Sequence, residues 1–381
     1  MRQNPALSGG FDARVDGKRV TIDVRDQSQL RFALDYLARM ADSKVLFTGR
    51  FEARPKIQWR GVHLFVGPTA LSFHKKLWTR VLLPMGFNKV VLQCEQTEWK
   101  CLPNVRGGIA MKVSDLAKLC DWYRTVGVEP IPLVQSLGHM DWLFKGKANL
   151  NLAMNSAIPY TIDSRKKETR RLFTRLWDEV IRVTKAKTIH VGLDEIALRG
   201  IPKDSALVTE LWKYQVPVLV AIAKQHKVRL MLWSDECLAP GEAADTTNAA
   251  SVEHSRLRRK IFPSGTLIGD WHYLRLTSVN DYRKSLSLFK SEKMQPIASM
   301  FYRPENIQTF TAAAIAENCG TLQTTWAGYE SSEALMYKNL RQFNSMLLAA
   351  DYAWGRKVKP SELPYEPLKT FLDLYEGRGR D

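Results

Sequence analysis

The chain has 381 residues, 45% hydrophobic and 25% charged, which excludes a largely disordered polymer and supplies apolar surface for one large core or two smaller ones. Its 56 lysines and arginines outnumber 39 aspartates and glutamates, and the formal net charge of +17 favours an anionic partner without choosing among nucleic acid, membrane surface and acidic glycan. Five scattered cysteines (Cys94, Cys101, Cys120, Cys237, Cys319) exclude a disulfide framework and give no paired spacing for zinc, so no metal and no cofactor is expected.

In chain order, the opening MRQNPALSGG lacks the apolar core of a secretory signal, so no signal peptide is expected and the compartment stays open. FDARVDGKRVTIDV (11–24) then alternates like a strand pair around Asp16-Gly17, and QLRFALDYLARMA spaces Leu30, Phe32, Ala33, Leu34, Leu37 and Ala38 as one face of a helix. A hairpin and one helix are too little to fold alone. Residues 1–55 therefore read as a partial small α/β unit leaning on residues 56–381.

From residue 60 onward eight short apolar runs alternate with amphipathic segments: GVHLFV (61–66), KVVLQC (89–94), EPIPLV (129–134), TIHVGL (188–193), VRLMLW (228–233), TLIGDW (266–271), QPIASMF (295–301) and GTLQTTW (320–326). Helices are expected between them over 114–127, 169–185, 207–226 and 306–320. Strands buried on both faces and alternating with helices imply parallel pairing, and eight such units in this length fit a closed (β/α)8 TIM barrel of the α/β class. The open doubly wound alternative lacks a G-x-G-x-x-G turn after the first strand. No apolar run reaches the ~18 residues of a transmembrane segment, and the basic clusters RKKETRR (165–171) and RLRRK (256–260) read as solvated faces, with no nucleic-acid module around them.

In such a barrel, chemistry belongs to the carboxyl ends of the strands. Those ends carry carboxylates and aromatics: Glu95, Glu98 and Trp99; His139, Asp141 and Trp142; Asp194 and Glu195; Trp233, Asp235 and Glu236; Trp271, His272 and Tyr273; Trp326, Tyr329 and Glu330, with Arg60 leading into the first strand. Flat rings beside carboxylates suit a sugar, whose apolar face stacks while its hydroxyls are held. In TIHVGLDE, alternation puts His190, Gly192 and Asp194 on one face with Glu195 just beyond. Two adjacent carboxylates resist ionising together, so one keeps a proton and offers a general acid. The plainer alternative is that Asp194 caps a following helix and Glu195 is a solvated helix-start residue.

The ordered series WRGVHL, SLGHMDW, HVGLDE, WSDE, GDWHY and QTTWAGYE resembles glycoside hydrolase family 20, the β-N-acetylhexosaminidases, over residues 55–355, and residues 11–55 resemble the end of the small α/β domain that precedes the barrel in that family. The resemblance implies a retaining exo-β-N-acetylhexosaminidase acting on a glycan with a terminal N-acetylhexosamine, N-acetylglucosamine or N-acetylgalactosamine, through an oxazolinium intermediate formed by the substrate's own acetamido group. It implies Glu195 as general acid, Asp194 and Tyr273 on the acetamido group, Trp233, Trp271 and Trp326 as its walls, Arg60 and Glu330 on sugar hydroxyls, and Asp235, His139 and His190 around the substrate. Leu193 stands where the family has a second glycine, and Leu133 and Gln135 where it commonly has acidic residues. Two alternatives remain at this stage: a retaining glycosidase with Glu95, Asp235 or Glu330 as nucleophile, and a catalytically silent glycan- or polyanion-binding barrel.

Overall fold

The structure is a computed structural model that describes residues 2–4, 7, 10–16, 19–25, 29–30, 33–34, 37, 49–105, 107–202, 204–276 and 278–378. Its first strands, β1 (Arg2–Gln3), β2 (Phe11–Asp16), β3 (Arg19–Val24) and β4 (Gly49–Ala53), form a sheet in the order β1-β3-β2-β4. The hairpin expected from the alternation is β2 with β3, Asp16 lying opposite Arg19. The same alternation turns Phe11, Ala13, Ile22 and Val24 to one face, where they bury with Ala33 against Leu30, Leu37 and Trp354. Gln29, Leu30, Ala33, Leu34 and Leu37 are helical; the rest of the helix expected there lies outside the described residues.

Eight parallel strands then close into a barrel: β5 (Arg60–Phe65), β6 (Lys89–Gln93), β7 (Glu129–Leu133), β8 (Thr188–His190), β9 (Arg229–Trp233), β10 (Leu267–Trp271), β11 (Gln295–Met300) and β12 (Gly320–Gln323), which pairs back onto β5. All eight runs seen in the sequence are strands. Their alternation builds two cores. Val91, Ile131, Leu133, Met231, Trp233, Leu267, Ile297 and Leu322 fill the barrel interior, while Val62, Leu64, Val90, Leu92, Ile189, Leu232, Ile268 and Ala298 join the layer against the helices. Trp233 fits inside because its neighbour on β10 is a glycine: a Cβ on Gly269 would stand 2.7 Å from the indole ring.

Helices form in the expected segments as Val113–Thr125, Lys167–Thr184, Ser205–His226 and Pro304–Ala316, starting one or two residues earlier and ending up to four residues earlier than expected. Asp204 caps the Ser205–His226 helix by accepting from the Ala206 N–H at 2.8 Å. By length and composition this helix is apolar enough to cross a membrane, which the run-length criterion overlooked. Its hydropathy reflects packing here, because Leu211, Trp212, Val216 and Leu219 are fully buried in the core.

One strand departs from expectation in a way that matters for the site. β8 stops at His190, and the next residues turn sharply, with φ of 69° at Gly192, 76° at Leu193 and 45° at Glu195. Strand alternation therefore does not orient Asp194; a run of left-handed backbone does, at a cost of about 1–2 kcal/mol for each residue that carries a Cβ.

Candidate active site

The left-handed turn after β8 presents two carboxylates in different environments. Asp194 is buried, and its Oδ1 accepts from Gln135 Nε2 at 2.7 Å. Glu195 has about half its side chain exposed. One imidazole serves both: His139 Nε2–H donates to Glu195 Oε2 at 3.2 Å and lies 3.5 Å from Asp194 Oδ2. His139 sits on the loop after β7 in the left-handed region, φ 53°, and its Nδ1 is 2.8 Å from the Tyr160 hydroxyl. The Arg199 guanidinium stacks 3.8 Å over the Tyr160 ring and lies 3.5 Å from Asp141.

The proton distribution differs from the sequence expectation, in which Glu195 of the free protein keeps the proton. Burial raises the pKa of Asp194, and the Glu195 charge adds to that, against the pull of His139 and Gln135. Glu195 is instead held below the ordinary glutamate value by its hydrogen bond to His139. Burial alone would lower His139, but the hydrogen bond to Glu195 and the charges of Asp194, Glu195 and Asp235 outweigh it and push the imidazole up to about 9. Between these two partners the shifts favour the proton on His139 over Glu195.

Below the pair, Asp235 is fully buried and engaged on both oxygens. Its Oδ2 accepts from the Glu195 backbone N–H at 2.8 Å and from Asn248 Nδ2 at 2.7 Å, and its Oδ1 accepts from Trp271 Nε1 at 3.1 Å. It fixes the strained turn and one aromatic wall together. The adjacent Glu236 accepts from the Ile196 N–H at 3.1 Å and pairs with the buried Arg258, so RLRRK, expected on the surface, supplies two core cations, Arg258 and Arg259. Glu95, buried at the end of β6, accepts from the Gln135 N–H at 2.9 Å and from the Tyr329 hydroxyl at 2.9 Å; burial pushes its pKa up to about 7.

The residues that follow β10 and β12 supply partly exposed rings. Trp271 packs against Tyr273 with ring centroids 5.0 Å apart, and Trp326 Nε1–H donates to the Tyr273 hydroxyl at 3.1 Å. Burial keeps the Tyr273 phenol protonated, and the Asp194 and Glu195 charges push the same way. Trp233 lies deeper, 1% exposed and 6.0 Å from the Trp326 ring, and its indole N–H has no partner among the described residues. His190 is buried beside it at 4.4 Å, and its Nδ1 accepts from the Gly192 N–H.

Arg60 is a correction. It begins β5 and so lies at the end of the barrel opposite the site, where its guanidinium donates to the carbonyls of Gly86 at 2.8 Å and Ile57 at 2.6 Å and faces Trp354. A residue leading into a strand is at the amino end; the mouth belongs to the residues that leave it. Trp99 and Trp142, counted among the strand-end aromatics, are core residues. Glu330 is exposed and accepts from the Ser332 hydroxyl at 3.0 Å, and among the described residues it makes no ion pair or hydrogen bond with the carboxylate pair. Tyr160, Asn248 and Arg199 were not legible in the sequence, because they lie in loops 21, 13 and 39 residues from His139, Asp235 and Tyr160, which they support, and Gln135 stood there only as a departure from the family. Among the described residues no group of three or more His, Cys, Asp or Glu is placed to hold a metal ion.

No family model matches the sequence. Two curated relatives align in part: hexosaminidase D of Homo sapiens, 32% identical over 148 residues (38% of this chain and 30% of that protein), and hexosaminidase D of Bos taurus, 36% identical over 74 residues (19% and 21%). The matches thus span less than a third of either relative's length. Solved structures align almost throughout. The β-N-acetylhexosaminidase of Bacteroides fragilis superposes with a TM-score of 0.71 at 15% identity, covering 99% of this chain and 84% of that one. The Flavobacterium johnsoniae chitobiase gives 0.70 at 15% (97% and 60%), and the family 20 β-N-acetylhexosaminidase of Streptomyces coelicolor 0.68 at 15% (100% and 83%). The barrel and its preceding small sheet are therefore the fold of these glycoside hydrolases.

Proposed function

We propose that this chain, a divergent relative of glycoside hydrolase family 20 in fold and in part of its sequence, is an exo-acting β-N-acetylhexosaminidase that retains configuration through neighbouring-group participation. The observation that carries the proposal is the shared imidazole: His139 bridges a buried Asp194 and a half-exposed Glu195 after β8, and Asp235 ties that turn to Trp271, which packs on Tyr273 beside Trp326.

In this reading the acetamido N–H of the terminal sugar donates to Asp194, and Tyr273 O–H donates to the acetamido oxygen. That oxygen attacks the anomeric carbon as the glycosidic bond breaks, and Glu195 protonates the departing oxygen. The products of the step are the alcohol and an oxazolinium ion. Water then opens the oxazolinium at the same carbon, giving its proton to Glu195. Glu195 is ionised in the free protein, so its proton must arrive on binding. A sugar that covers the exposed half of Glu195 removes water and raises its pKa, and His139, 3.2 Å away, is the donor at hand.

Two candidates for a carboxylate nucleophile are occupied otherwise: Asp235 has three donors on its two oxygens, and Glu95 is buried between Gln135 and Tyr329. This supports the substrate's amide as nucleophile. The test is hydrolysis of chromogenic N-acetyl-β-glucosaminide and N-acetyl-β-galactosaminide beside the plain β-glucoside. Glu195→Gln and Asp194→Asn should each lower kcat by about 10²–10⁴-fold, and the plain glucoside should be a poor substrate. Full turnover in either variant, or preference for the plain glucoside, would reject the assignment.

A further inference from the structure

The carboxylate-lined mouth leaves the +17 charge unexplained. Part of that excess is organised on the outer wall. On the Lys167–Thr184 helix, Leu172, Phe173, Leu176, Trp177 and Val180 are buried. The opposite face presents Lys167, Arg170, Arg171 and Arg175, spaced i, i+3, i+4 and i+8. These four have no ion pair among the described residues, whereas Arg165 just before them pairs with Asp163 and Glu210. Glu168 is the one acidic residue lining the same hollow.

Arg170, Arg171 and Arg175 border a groove, with Lys167 one turn ahead of Arg171. A hollow of about 620 Å³ along the first turns of this helix adjoins a second of about 450 Å³ against the Ser205–His226 helix, and the two share Arg170 and Thr174. The second adds Lys213, the exposed ring of Tyr214 and the apolar surface of Pro217 and Val218. In a β/α barrel the helix after a strand begins beside the strand's carboxyl end. The groove therefore starts on the side of the barrel where the loop after β7 carries His139 and Tyr160 toward Asp194 and Glu195.

We propose that this groove is an exosite for the anionic portion of a glycan that bears carboxylate or sulfate groups, such as a uronic-acid polysaccharide with N-acetylhexosamine units. The choice of a glycan rests on the hexosaminidase reading of the mouth. The chemistry of the surface favours it over duplex nucleic acid. The cations follow one file beside an apolar floor with a ring on which a pyranose can stack, whereas DNA-binding surfaces are broad and polar.

The test measures binding of the full chain to immobilised hyaluronan and chondroitin sulfate, with a neutral chitin oligosaccharide, a duplex oligonucleotide and phosphatidylserine vesicles as comparisons. The acidic glycans should bind with an affinity that falls as salt rises, and Lys167→Glu/Arg171→Glu/Arg175→Glu should weaken them by at least about tenfold. The same variant should hydrolyse a small neutral chromogenic substrate as the parent does. Undiminished glycan binding by the variant, absence of binding by the parent, or stronger binding of the oligonucleotide or the vesicles would overturn the exosite. Binding and hydrolysis are read separately. An inactive chain that binds acidic glycans through these residues defeats the enzymatic reading alone, and an active chain indifferent to them defeats the exosite alone.

Discussion

His139→Gln tests the electrostatic centre of the site. In the folded protein the imidazole is pushed up to about 9, against about 6.5 in an unfolded chain. The folded state thus binds the proton more tightly, and the stabilisation is complete below about pH 6.5 and lost as pH rises through about 9. Converted directly, the shift is worth about 3 kcal/mol. The side chain is 34% exposed, so screening reduces this to about 1–2 kcal/mol. The other groups facing the imidazole, Asp194, Glu195, Asp235 and Tyr160, remain in the variant. Urea unfolding at pH 6 and pH 9.5 should therefore show the parent losing about 1–2 kcal/mol more than His139→Gln across that interval. In the variant the proton delivered to the leaving oxygen must sit on Glu195 itself, so the basic limb of kcat/KM should move to lower pH. Parallel stability curves would mean that the imidazole is not held protonated by the two carboxylates, and the proton-reservoir role would fall with them.

Asp235→Asn places an amide N–H₂ where one of two accepting oxygens now meets Glu195, Asn248 or Trp271, so it should destabilise by about 1–3 kcal/mol and lower kcat by loosening the Glu195 turn; an unchanged melting temperature with full kcat would count against the positioning role. At Leu193, fully buried with φ 76°, both Ala and Gly lose the leucine's packing, but only Gly is free of left-handed strain. Leu193→Gly should therefore be more stable than Leu193→Ala by about 1 kcal/mol, the reverse of the order in regular structure, and the usual order in denaturation curves would show that the backbone there is relaxed.

The barrel was legible because its strands are buried on both faces, and eight apolar runs of strand length separated by helical periodicity leave few other architectures. The carboxylate pair was legible because it ends one of those runs. Its orientation was not, since alternation is a property of extended backbone and the chain leaves that conformation at Gly192. Arg60 was misplaced because a motif gives order along the chain, whereas the barrel separates the start of a strand from its end. RLRRK shows the converse limit: a basic pentapeptide reads as surface until its partners, Glu236 for Arg258 and Glu242 and Glu292 for Arg259, are brought in from elements 17 to 33 residues away.

The separation of charge over the molecule bears on what the proposed site can accept. Glu95, Asp194, Glu195, Asp235 and Glu236 crowd the carboxyl ends of β6, β8 and β9, and burial or mutual repulsion already raises three of them, Glu95, Asp194 and Asp235. His139 and Arg258 only partly offset that density. A mouth of this sign stabilises a positive centre such as an oxazolinium and repels a carboxylate or sulfate on the sugar being cut. The cationic file on the Lys167–Thr184 helix has the opposite preference. A glycan with a neutral N-acetylhexosamine at its end and acidic units farther along would satisfy both surfaces at once, and moving the acidic group onto the terminal sugar should cost more than removing it from the chain.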